Sequence, residues 1–182
     1  MREISLGILA SLFFAVTFIL NRSMEISGGS WSWSSSLRYF FMLPFLFIIV
    51  YYRKGLFETF KEIKSAPAAW FLWSFVGFVL FYAPLTFAAA YGPGWLISGM
   101  WQFTIVAGVL LAPLFLIKME NRIIKQKIPV VSLFISLLIL VGIILIQIPN
   151  TDTVNLQMIF LGILPVLIAA FAYPLGNRKM ME

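Results

Sequence analysis

The stretch Leu161–Met180, LGILPVLIAAFAYPLGNRKM, restates the beginning of the chain, Leu6–Met24, LGILASLFFAVTFILNRSM. Both open on LGIL, continue through small and apolar residues, and close on Asn-Arg with a Met two places on. The LGIL blocks align at an offset of 155 and the Asn-Arg pairs at 156, so one inserted residue brings LGIL, Asn-Arg and the Met into register. Apolar helices match one another cheaply. The echo gains weight only from where the two copies stand relative to a membrane.

A membrane is what the composition demands. Of 182 residues, 62% are hydrophobic and 11% charged, with a mean hydropathy of +0.99. A soluble domain has about half its residues apolar, and this chain has too little polar surface to cover itself in water. It contains no Cys and no His. That removes disulfides, thiolate metal sites, the usual nitrogen ligand and the neutral-pH proton shuttle. No phosphate-binding or dinucleotide fingerprint occurs, and Gly92-Pro93-Gly94 reads as a turn between apolar runs. We expect no cofactor, no metal and no enzymatic chemistry.

A helix needs about 20 apolar residues to cross the hydrocarbon. Six runs qualify: Ile4–Leu20, Trp31–Tyr52, Ala68–Tyr91, Gly94–Ile117, Ile128–Ile148 and Leu156–Gly176. None alternates with a period of two, which rules against a β-barrel. Pro44, Pro84, Pro113, Pro165 and Pro174 fall inside runs, a pattern tolerated when packed neighbours satisfy the freed carbonyls. The first run lacks a small-x-small cleavage site and reads as a span, not a removable leader. The fold expected is therefore an all-α integral membrane bundle of six transmembrane helices.

Charge orients it. If the spans alternate, one side receives eleven of the thirteen basic residues, and the other only Arg22 and Arg38. The positive-inside rule then puts both termini in the cytoplasm of a multi-pass inner (cytoplasmic) membrane protein. The net charge of +6 is a topology signal, and nucleic acid is not needed to explain it. The loop Arg53–Pro67, RKGLFETFKEIKSAP, sets Leu56, Phe57, Phe60 and Ile63 at helical spacing opposite lysines. It reads either as an amphipathic helix on the inner leaflet or as a solvated loop. Trp31, Trp33 and Trp95 sit at outer ends and Trp70 and Trp73 at an inner end, as interfacial anchors do.

With orientation assigned, the echo acquires a meaning. Span one runs outward and span six inward, so a copy five helices later is inverted. Inverted repeats about an in-plane axis are how secondary transporters obtain alternating access. The sequence divides as residues 1–155, a five-helix repeat, and 156–182, the first helix of an inverted second repeat.

Several further stretches carry a family likeness. The third span ends FAAAYGPG (Phe87–Gly94) and the fourth opens WLISGMWQF (Trp95–Phe103). A short basic loop with one Glu follows, KMENRIIKQKIP (Lys118–Pro129), then SLLILVGIILI (Ser136–Ile146) with its late Gly. Early in span two stands SLRYFFMLP (Ser36–Pro44). Together these resemble the drug/metabolite transporter superfamily, and best its multidrug-efflux branch. The resemblance covers the whole chain through diffuse motifs. It implies ten helices in two inverted repeats, exporting or exchanging small organic molecules. The sequence departs from that pattern by stopping after six spans. The expectation is a truncated piece, or a chain that assembles with a missing second half or a second chain. Uptake of a sugar or other metabolite by the same fold, and a non-transporting structural membrane subunit, are the alternatives.

Intramembrane polar groups are the natural site candidates, since lipid makes them costly. Arg38 is the charge deepest within a span, about 10 Å below Trp31 at 1.5 Å per residue. It either snorkels to the outer interface or faces a cavity and neutralises an anion. Asn21 ends span one, where its neighbour Arg22 suits the helix dipole. Thr17, one turn earlier, extends a polar stripe or bonds back to its own helix. Trp101 and Gln102 lie about two turns into span four, too deep for an interface anchor; an aromatic wall beside an amide suits a flat organic solute. Tyr82, with Thr86, either lines the same space or packs in the core. No Asp or Glu lies within a span: Glu3, Glu25, Glu58, Glu62, Glu120, Asp152 and Glu182 fall in loops or ends. A carboxylate that exchanges proton for drug, as small four-helix exporters of similar fold carry in helix one, has no counterpart here.

Overall fold

The computed structural model describes residues 2–119, 122–147 and 155–181. Five helices are long and apolar enough to cross a bilayer, and a sixth apolar helix, Gly94–Leu110, is shorter. Glu120, Asp152, Glu182 and the expected end of span five at Ile148 lie outside the described residues.

Helix α1 runs Arg2–Ile26, six residues beyond the expected end of span one. It stops where Gly28 takes φ +86° and the Gly29 N–H donates to the Met24 carbonyl at 2.9 Å, the left-handed termination that glycine permits without steric cost. Asn21, Arg22 and Glu25 are consequently inside the helix, where the sequence reading had them at or past its end. Helix α2 spans Trp31–Tyr52 as expected and carries Pro44 within it. The loop resolves in favour of a helix: α3, Leu56–Ser65, leaves Phe57 and Phe60 exposed and Leu56 and Ile63 half-buried.

Span three is three pieces in line: α4 (Pro67–Ser74), a π-helical turn (Phe75–Val79) and α5 (Leu80–Tyr91). Span four is α6 (Gly94–Trp101) and α7 (Phe103–Leu110), stepping at Gln102, whose N–H donates to the Gly99 carbonyl at 3.2 Å. The expected run to Ile117 is cut short. Pro113 has no N–H to continue the helix, so the chain turns through a 3₁₀ segment (Ala112–Leu114) into strand β1 (Leu116–Met119), antiparallel to β2 (Arg122–Lys125). A small hairpin thus stands where a plain basic loop was expected, and the fold is helical but not purely so. Helix α8 (Val130–Gln147) follows. Span six is α9 (Leu156–Met158), a second π turn (Ile159–Ile163) and α10 (Leu164–Lys179). Such single π turns commonly sit at functional or packing-critical places in helices.

The core lies between spans three, four and six. Phe81, Tyr82, Leu85, Ala88, Ala89, Ile97, Val166, Ala169 and Ala172 are buried together. The alanines on both α5 and α10 let the backbones approach closely, which replaces the hydrophobic drive that lipid cannot provide. The closest approach is Gly77 in the first π turn against Gly176 in α10. A Cβ on Gly176 would overlap the Gly77 backbone, and one on Gly77 would meet the Gly176 carbonyl carbon at 3.3 Å. Helices α1, α2 and α8 expose long rows of Leu, Ile and Phe, the surface a bilayer covers. Two residues beyond Gly176, the Arg178 guanidinium stands 5.3 Å over the Phe115 ring and donates to Gln126 Oε1 at 3.0 Å, pinning span six to the base of the hairpin.

Candidate functional site

A cavity of about 900 Å³ opens between the first and fourth spans. Helix α1 contributes Ala10, Ser11, Phe14, Ala15, Arg22 and Ser23; the opposite wall is Trp95, Ser98, Trp101 and Gln102. The α1 residues recur at three- and four-residue intervals, so they share one face. Ala10, Ser11, Ala15 and Ser23 are small, which leaves the space open, and Ser11, Arg22 and Ser23 are unusually polar for a surface toward lipid.

Two of the expected site residues, Trp101 and Gln102, line this cavity. Trp101 is held from several sides: Phe14 at 5.8 Å, Phe81 at 5.3 Å and Tyr173 at 5.7 Å between ring centroids. Its orientation is thereby fixed before any solute arrives. The break between α6 and α7 falls at Gln102, which places the amide beside the indole. Two of the hydroxyls are engaged with their own helices: Ser11 donates to the Gly7 carbonyl at 2.9 Å and Ser98 to that of Trp95 at 3.2 Å.

Arg38 and Tyr82 meet each other outside the cavity wall. The Arg38 guanidinium carbon stands 4.7 Å over the Tyr82 ring, a cation–π contact, and Tyr39 packs edge-on to the same ring at 5.4 Å. Tyr82 is 2% exposed and touches Phe81 at 5.7 Å, so rings run without interruption from Arg38 to Trp101. Thr17 donates to the Phe13 carbonyl at 3.3 Å, and Thr86 to the Tyr82 and Ala83 carbonyls at 3.0 Å, the local back-bonding open to such residues. Thr17 and Asn21, one turn apart on α1, share a face with each other, and neither lines the cavity.

Arg22 does line it. Its guanidinium also donates to the Ala90 carbonyl, one of the last carbonyls of α5, which has no helical partner of its own. Glu25, one turn further, has a buried Oε2 with no hydrogen-bond partner. Among the described residues no group of three or more Asp and Glu side chains is arranged to hold a metal ion.

A profile described as "Putative multidrug resistance efflux transporter" (EmrE) matches residues 1–182. The chain belongs to the EmrE family, within the drug/metabolite transporter superfamily. Its family is one of transporters, and its apolar helices make it a multi-pass membrane protein. The uncharacterized protein YjlA of Bacillus subtilis (strain 168) is 61% identical over 186 residues, covering 100% of this chain and 57% of that protein. An uncharacterized 42.1 kDa protein encoded 3′ of an intracellular alkaline protease in Shouchella clausii is 54% identical over 183 residues, covering 100% of this chain and 48% of that protein. The chain spans about half the length of these relatives. No solved structure matches it.

The sequence reading passed over Ser11, Phe14, Ala15, Ser98 and Tyr173. A signal for Ser11 and Ala15 existed: with Arg22 and Ser23 they form a stripe of small or polar residues at helical spacing within an apolar run. Tyr173 and Phe81 carried none, because an aromatic in an apolar span looks the same facing lipid, core or cavity.

Proposed function

We propose that the chain is the five-helix repeat, plus the first helix of an inverted second repeat, of an exporter that moves small organic solutes by alternating access. Further spans, from the remainder of a longer chain or from a second chain, complete the working unit; the greater length of the relatives supports this. Both termini face the cytoplasm, as the basic-residue bias argues. The observation that carries the reading is the cavity itself, a largely apolar space of about 900 Å³ that also presents Ser11, Arg22, Ser23, Ser98 and Gln102, at an intramembrane helix pair in a chain of a transporter family. Trp101 is its stacking wall and Gln102 its hydrogen-bonding group. Arg38, on Tyr82, is placed to act through the ring chain behind Trp101. Asn21 and Thr17, one turn apart on a shared face of α1, stand beside the residues that line the cavity.

The chain has no native Cys, so single cysteines report access cleanly. In intact cells, Ser98→Cys and Gly28→Cys are expected to react with a membrane-impermeant maleimide, whereas Lys61→Cys and Leu137→Cys are not. A Ser98→Cys that stays unreactive outside, or a Lys61→Cys that reacts there, removes the outward-open cavity or its orientation. Expression should lower cellular accumulation of an amphipathic fluorescent solute. Raised accumulation assigns uptake in its place.

A further inference from the structure

We propose that the cavity between the first and fourth spans selects organic anions carrying a flat ring, carboxylates foremost, over organic cations; this rests on reading that cavity as the solute site. Among the described residues its lining holds one full charge, on Arg22, and no acid. Among the described residues, the Arg22 guanidinium bonds only the Ala90 carbonyl, which occupies one of its five N–H donors. The remaining donors can receive a carboxylate in two parallel bonds, the geometry that guanidinium favours.

The neighbours reinforce that preference. Ser11 and Ser98 have given their hydroxyl protons to backbone carbonyls, so they do not compete with Arg22 for an anion. Phe14, Trp95 and Trp101 line the same space with apolar faces, which keep the local dielectric low and strengthen a charge pair formed there. The indoles offer a ring the stacking surface, while Gln102 can donate or accept. An organic cation would gain from the indole faces but would meet the like charge of Arg22 with no carboxylate on the wall to offset it. Glu25 lies outside the lining.

The test uses the purified chain in zwitterionic nanodiscs and two probes of one shape, 1-naphthoate and 1-naphthylmethylammonium, followed by tryptophan quenching. Naphthoate should bind about tenfold or more tighter, the scale of one charge-assisted contact. Arg22→Lys should keep the preference. Arg22→Gln should bring the two probes to within about twofold, as loss of one such contact requires. Because Arg22 also ties α1 to α5, Ser98→Asp is a second variant that leaves that tie alone, and it should move the preference toward the ammonium. Equal or tighter ammonium binding by the unaltered chain overturns the anion assignment while leaving the cavity as the solute site. A preference that survives Arg22→Gln in a folded protein overturns it too. If neither probe quenches, the cavity is not the solute site, and the functional reading falls with it.

Discussion

Gly176→Leu is expected to leave no folded bundle. At this position α10 crosses the first π turn so closely that a bare Cβ already overlaps the Gly77 backbone. Backbone cannot rotate aside as a flexible side chain can, so the two helices must separate. Separation also unseats Val166, Ala169, Ala170 and Ala172, which pack along the same helix. In lipid, association rests on close packing with little hydrophobic drive behind it. Ordinary overpacking costs about 1–3 kcal/mol, and here the strain falls on the contact that joins spans three and six. The expected readout is loss of the monodisperse peak on detergent size exclusion. Gly176→Ala should show a milder loss. Gly7→Ala, where nothing stands within 4 Å, should elute like the unaltered chain and gain slightly in helix propensity. A normal elution profile for Gly176→Leu would falsify the crossing.

The contrast between Gly7 and Gly176 shows how much of this molecule was legible beforehand. Five long apolar helices followed from hydropathy alone, since length and composition suffice for a span. The shortened fourth span did not, because Pro113 sits in an unbroken apolar run and only packing decides whether a proline kinks a helix or ends it. Gly7 and Gly162 occupy equivalent places in the LGIL echo, yet a Cβ added to the first would meet open space and one added to the second would meet Ile97 at 3.5 Å. Nothing in four identical letters separates those environments. For the site, Trp101 and Gln102 were legible because an indole and an amide are out of place two turns deep in a span. Arg38 and Tyr82 stood out for the same reason, but their partnership is a tertiary fact. Arg22 was misread through the helix end: six residues of extra helix turn a terminal cation into one on the cavity wall.

Phe81→Ala is expected to damage both stability and the site, although Phe81 does not itself line the cavity. It is 8% exposed and packs against Tyr173 at 4.8 Å, Trp101 at 5.3 Å and Tyr82 at 5.7 Å. Each such ring pair contributes about 0.5–1.5 kcal/mol beyond burial, so the three together stand near 3 kcal/mol. The figure of about 3–5 kcal/mol for Phe→Ala in soluble cores is a ceiling here, because the apolar transfer portion is small when the alternative solvent is lipid. What remains is lost contact on all sides of an empty volume. The unfolding midpoint in an SDS titration should fall accordingly. Trp101 loses the ring behind it and gains rotamers, so its emission should shift to longer wavelength and solute affinity should drop. Tyr82 loses its neighbour on the same side, which loosens the seat of the Arg38 guanidinium 4.7 Å above it. Phe81→Leu refills most of the volume without the ring contacts and should recover more of the midpoint than of the affinity. If Phe81→Ala keeps the native midpoint and native Trp101 emission, the ring chain does not hold the cavity wall, and Trp101 must be positioned by Phe14 and Tyr173 alone.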